Sequence, residues 1–125
     1  MKDAINLFYD DYVKALNNTK KHCLKLNESM NNINDKLNNK NEYFDSGVFL
    51  ELELFGLKGL QYKLISSTYV LVDAYVKLIG VHDSLDEKQQ KNIKEYNKVL
   101  NLVKNTIEKT SHFIEDISPS NDKNL

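Results

Sequence analysis

The side chains best placed to do chemistry together lie near the carboxyl end, where Glu108, His112 and Asp116 follow one another at four-residue steps. On a helix that spacing stacks all three on one face, so an imidazole between two carboxylates could hold a divalent cation or pass a proton. A single helix leaves most of a coordination sphere to water, however. Neither a His-Glu-x-x-His pair nor the Glu-x-x-His unit of di-iron bundles occurs in the chain. A solvated charged face is the expected reading, and neither metal nor other cofactor is expected.

His22 stands beside Cys23. A thiolate and an imidazole in contact would make a nucleophile, yet neighbours on a helix point about 100 degrees apart, and Cys23 falls on the apolar row described below. A buried structural thiol is expected there, and a loop position for His82. Paired acids at Asp10 and Asp11, or at Glu51 and Glu53, would serve acid-base catalysis only where their surroundings drove their pKa values apart. Their expected role is to complement helix amino-terminal dipoles. With no phosphate-cradling glycine loop and no Gly-x-Ser-x-Gly elbow, no enzymatic activity is expected.

All 17 basic residues are lysine, set against 18 acids for a net charge of -1. Lys14, Lys20, Lys21 and Lys25 cluster in the first segment, but acids are interspersed and the planar fork of arginine is missing. The electrostatic basis for nucleic-acid binding is therefore weak. The absence of arginine also rules out the Arg-x4-His motif of helical HEPN ribonucleases. Lysine without arginine, together with sixteen asparagines, reads as the coding bias of an AT-rich genome.

A chain of 125 residues with 41% apolar and 28% charged side chains can bury a true core without cross-links, and its one cysteine can form no internal disulfide. The amino terminus lacks the cationic and apolar regions of a secretory leader. The longest charge-free apolar stretch, Leu64 to Val72, is about half the length of a membrane span. A cytoplasmic protein without membrane association is expected.

The elements that must position these side chains are helices. With one proline and four glycines in the whole chain, breakers are scarce. Ile5, Tyr9, Tyr12, Leu16, Thr19, Cys23, Leu26, Met30, Ile33 and Leu37 recur at steps of three and four, with Phe44 continuing the row beyond Lys40. That is a heptad seam, predicting a helix over about 3–40 with Asp3 as its N-cap. From Asn27 onward the seam thins in an asparagine-rich background.

After a turn over 38–47, capped by Asp45 or Ser46, a second helix is predicted over 47–79. Leucine stands at every seventh position from Leu50 to Leu78, and Val48, Phe55, Tyr62, Tyr69 and Val76 form a second heptad row. Two apolar rows suggest two packing faces and make this the expected central helix. The alternation Leu50-Glu51-Leu52-Glu53-Leu54 also suits a strand, although no second segment offers a pairing partner. Gly56 and Gly59 could permit close helix approach, kink the helix, or split it and give a four-helix bundle.

Gly80 suits a left-handed helix end, and Ser84 to Glu87 reads as a capping box opening a third helix over 84–117. That helix carries Ile93, Tyr96, Leu100, Val103, Ile107, Thr110, Ile114 and Ile117 inward. Residues 119–125 after Pro119 read as a frayed tail.

The expected fold is all-α: one domain over 1–118, a bundle of three long helices running up, down and up with coiled-coil-like packing. More apolar surface is patterned than one three-helix core needs, so a homodimer or a complex with another protein is expected. The candidate partner-binding residues are Met30, Ile33, Leu37, Tyr43 and Phe44. The expected function is non-enzymatic protein-protein interaction, of the inhibitor, immunity or accessory-factor kind found in AT-rich bacteria, phages and mobile elements. Two alternatives are a leaderless secreted helical protein or its targeting partner in a type VII-like system, whose Trp-x-Gly turn is ruled out by the lack of tryptophan, and a small helical subunit of a nucleic-acid complex.

Overall fold

A computed structural model describes residues 2–39 and 48–117. The turn residues 40–47, with the expected caps Asp45 and Ser46, and the tail 118–125 lie outside the described residues. Three long helical segments account for the described chain, and no strand occurs among the described residues. Helix α1 spans Lys2–Asn38 and α2 spans Val48–Ile79; a 3-10 turn at His82–Ser84 leads to the short α3, Glu87–Ile93, and then to α4, Glu95–Ile117. The Leu50 to Leu54 stretch is helical.

Cross-links between elements fix the order as up, down, up. Lys36 near the end of α1 pairs with Glu53 near the start of α2 at 3.0 Å, and the Thr19 hydroxyl lies 3.4 Å from the Ser67 carbonyl oxygen, so α1 and α2 run antiparallel. Gln61 of α2 donates to the Ile107 carbonyl and the Ser111 hydroxyl of α4. Lys20 of α1 reaches Glu95 at the head of α4.

The core is built from the patterned seams. Tyr12, Leu16, Thr19, Cys23, Leu26, Met30 and Ile33 of α1 are buried against Leu50, Leu57, Leu64, Leu71 and Leu78 of α2. Each leucine so enclosed contributes roughly 1.5–3 kcal/mol relative to an exposed one. From α4 come Tyr96, Val103 and Thr110, joined by Val99 and Thr106, which the three-four row on that helix does not include. Thr19, Thr106 and Thr110 enter the core because a threonine hydroxyl can bond to its own helix: Thr19 donates to Ala15 at 2.8 Å and Thr110 to Thr106 at 2.7 Å. Among the described residues no buried side-chain polar atom lacks a partner.

Four local expectations are corrected. The helix packed against both others is α1, whereas α2 and α4 meet over a shorter length. An apolar row marks a surface that gains by leaving water, without specifying that the cover comes from the same chain. Gly80 is not in the left-handed region; α2 instead ends by tightening, with Val81 donating to the Leu78 carbonyl at 3.1 Å. The capping box sits two residues later than expected. Asp86 is the N-cap, accepting from the Gln89 amide at 2.8 Å while its own amide donates to Gln89 Oε1, and Ser84 belongs to the 3-10 turn. Asp3 lies inside the first turn of α1, where its charge complements the helix dipole.

Helix α2 is unbroken through Gly56 and Gly59, and a methyl group at either would meet nothing within 4 Å. Neither glycine serves a close approach. The predicted third helix is instead interrupted at Lys94, whose amide bonds to the Lys91 carbonyl at 3.2 Å. The break is braced by tyrosines: the Tyr12 hydroxyl donates to the Asn92 backbone carbonyl at 3.0 Å, the Asn92 side-chain Nδ2 donates to the Tyr9 hydroxyl, and the Tyr75 and Tyr96 rings stack with centroids 3.6 Å apart.

Candidate functional site

None of the candidate catalytic side chains is gathered into a site. Glu108, His112 and Asp116 are all exposed on α4, and among the described residues no group of three histidines, cysteines or carboxylates could hold a metal ion. Cys23 is buried, and that burial pushes its thiol up from the ordinary range against the opposing effect of a hydrogen bond from Thr106. His22 is half-buried, and desolvation followed by the charges of Lys25, Lys63 and Lys21 holds its pKa below the usual histidine value. A reactive thiolate needs a depressed thiol pKa and a cationic neighbour; here both shifts run the other way. His82 lies exposed in the 3-10 turn, as expected of a loop residue.

Three of the five candidate partner-binding residues are inside the chain's own packing. Met30 and Ile33 are buried, and Leu37 is half-buried against the same core. Their cover is the first half of α2: Ile33 lies beside Leu57 and Leu60, and the Lys36–Glu53 pair closes that end. Tyr43 and Phe44 lie outside the described residues.

Leu7 and Leu24 of α1 and Leu102 of α4 are exposed singly, but most of the exposed large apolar side chains among the described residues are on α2. While Leu64 and Leu71 are 0% exposed, the second heptad row stands outward, with Phe55 77%, Tyr62 75%, Tyr69 73% and Val76 63% exposed. Between its members fall Ile65, which is half-buried, and Val72 and Ile79, 37% and 41% exposed, again at seven-residue intervals. The two rows interleave at steps of three and four, the pattern of a coiled-coil seam. Only Lys58 interrupts the seam with a charge between Phe55 and Ile79. The sequence marks this row as one of two packing faces of an expected central helix; in the structure its aromatic members are exposed.

Beside the seam, α2 and α4 diverge enough to leave an apolar groove of about 270 Å³, floored by Val103 and Ile107 and walled by Ile65, Thr68, Tyr69 and Val72. With three aromatic rings of roughly 200 Å² about three-quarters exposed, the rings alone present on the order of 450 Å², to which the exposed parts of Val76, Val72 and Ile79 add. That places the face in the upper part of, or above, the roughly 300–600 Å² of the largest patch on an ordinary monomer, which is itself often functional. A second hollow, of about 300 Å³ between α1 and α2, is lined by Asp11, Lys14, Asn18, Asp73 and Lys77. It offers both signs of charge, and Asp73 and Lys77 already pair with each other at 3.2 Å.

Compared with protein-family models, curated protein sequences and solved structures, the chain matches none. Its chemistry is therefore read from its own surface. Among the described residues no helix is long and apolar enough to cross a membrane.

Proposed function

We propose that this is a non-enzymatic protein-binding module whose working surface is the outward seam of α2 and the groove it shares with α4. The observation that carries the reading is the solvent exposure of Phe55, Tyr62, Tyr69 and Val76 in one heptad row. A row repeating every seven residues keeps facing a partner only if that partner is itself a helix winding around it, because a straight helix drifts about 20 degrees per heptad. Aromatic side chains are the residues that anchor interfaces most effectively. An inhibitor, immunity or accessory factor acting by occupying another protein's helix fits this surface, and the lack of any converging acid, base or nucleophile on the described residues favours binding over catalysis.

The test is a pull-down from the native host with two baits, the wild-type protein and the double variant Tyr62→Glu/Tyr69→Glu. Both replaced rings are exposed, so the variant retains its helical circular dichroism and, in dilute solution, its melting temperature. A partner chain recovered by wild type and lost by the variant, the protein itself included, is the expected result. Equal recovery by both baits, or no specific partner for either, overturns the reading.

A further inference from the structure

The exposed seam also identifies its occupant, and this step rests on the reading of the α2 face as a helix-binding surface. We infer that the occupant is the α2 helix of a second copy of this chain, lying antiparallel across a twofold axis between Ile65 and Ser66. Three properties of the seam converge on that partner.

The first is its period. Phe55, Tyr62, Tyr69 and Val76 alternate with Lys58, Ile65, Val72 and Ile79 without a skip, so the occupant is a helix that follows the same supercoil over the whole length.

The second is charge. In a parallel pair, Lys58 would face Lys58 and Glu51 would face Glu51, and like charges at one level destabilise. Turned antiparallel about that axis, Lys58 lies beside Asp73 and Val72 of the other copy, Glu51 comes to the Ile79 end, Tyr62 meets Tyr69 and Phe55 meets Val76. The lysine gains a carboxylate and every aromatic ring gains an apolar or aromatic neighbour. The groove beside Tyr69 and Val72 gives the Tyr62 ring of the opposite copy room to lie flat.

The third is area. The three rings alone offer on the order of 450 Å² from each copy, more than half of the roughly 800 Å² per partner of a standard stable interface, and Val72, Val76 and Ile79 extend it.

The experiment uses the full chain. Sedimentation velocity at high micromolar concentration is expected to give twice the 14.5 kDa mass of the chain, and Tyr62→Glu/Tyr69→Glu to sediment as a monomer with unchanged helical circular dichroism. Orientation is read by disulfide trapping, the native Cys23 being buried. Ile65→Cys alone links into a covalent dimer; Phe55→Cys alone does not, but an equimolar mixture of Phe55→Cys and Val76→Cys does. Self-linking of Phe55→Cys as fast as Ile65→Cys overturns the antiparallel arrangement. A wild-type monomer at high micromolar concentration overturns the second copy as occupant. If that monomer still recovers a host protein through Tyr62 and Tyr69, the binding face stands without the dimer; if it recovers none, both readings fall.

Discussion

The Tyr12 hydroxyl donates to the carbonyl oxygen of Asn92 across a sequence separation of 80 residues, at 3.0 Å, from a side chain with no exposed surface. It also lies 3.4 Å from the Ile93 carbonyl. These carbonyls belong to the last turn of α3, where the interruption at Lys94 takes away regular helical partners. One buried phenol therefore ties the amino-terminal part of α1 to the joint between α3 and α4.

Tyr12→Phe keeps the ring and removes the donor. The expected loss is about 1 kcal/mol for the hydrogen bond, rising to about 3 kcal/mol if the carbonyls are left dry. Urea unfolding followed by circular dichroism measures the loss. Amide exchange should rise around Asn92 to Glu95 more than in α2; uniform exchange would show that the joint does not depend on this bond.

The two heptad rows of α2 should respond oppositely to truncation. Leu64→Ala opens a cavity at a fully buried position and should cost about 2–5 kcal/mol. Tyr62→Ser, two residues away but outward, should change the stability of a dilute monomer by about 0.5 kcal/mol or less. Paired denaturation curves at low protein concentration separate the rows, and a large effect at Tyr62 there would mean that the row is covered within the chain.

Cys23 should be inert in the native protein. Its thiol is enclosed and burial raises its pKa, so both access and thiolate fraction are low. Labelling by a chromogenic disulfide should follow the unfolding rate rather than reagent concentration, and should become fast in denaturant. Rapid native labelling would contradict the enclosure.

His22 introduces a dependence on pH. Desolvation, with Lys25, Lys63 and Lys21, lowers its pKa in the folded state, so near neutrality and above it is neutral in both states and destabilises nothing. As pH falls through about 6.5, the unfolded chain takes up a proton first and stability declines until the lower folded-state pKa is passed. His22→Gln should flatten that segment of the stability profile, as measured by urea midpoints between pH 7 and mildly acidic pH. An unaltered slope would assign the dependence elsewhere.

Much of this architecture is legible in the sequence because burial imposes a period. The row from Tyr12 to Ile33 is buried as its spacing predicts, and so is the leucine row of α2. The failures have physical causes. Ser84-x-x-Glu87 and Asp86-x-x-Gln89 both fit a capping box; the buried Leu85 between them, a tertiary fact, selects the second. The interruption at Lys94 carries no glycine or proline to announce it. For the candidate face, periodicity identified Phe55, Tyr62, Tyr69 and Val76 as a packing surface, but a period specifies only that a row is to be covered, not by which chain. Met30 and Ile33 illustrate the converse, since a thin seam in a polar background is still enough to be closed by its own neighbour helix.

Gly56 and Gly59 give the last prediction. Both lie in the interior of α2, where glycine is less favourable than alanine by about 1 kcal/mol, and at both positions an added methyl has open space. Gly56→Ala and Gly59→Ala should therefore each raise stability by about 1 kcal/mol, nearly additively. Gly56 lies on the flank facing α1, so its substitution should leave self-association unchanged. Gly59 lies nearer the outward seam, four residues from Phe55 and three from Tyr62, and a methyl there tests how closely the second helix approaches. A stabilised Gly59→Ala variant with weakened dimerisation would mean that the glycine is retained for its place in the interface. A stabilised variant with unchanged dimerisation would assign it no role beyond the helix itself.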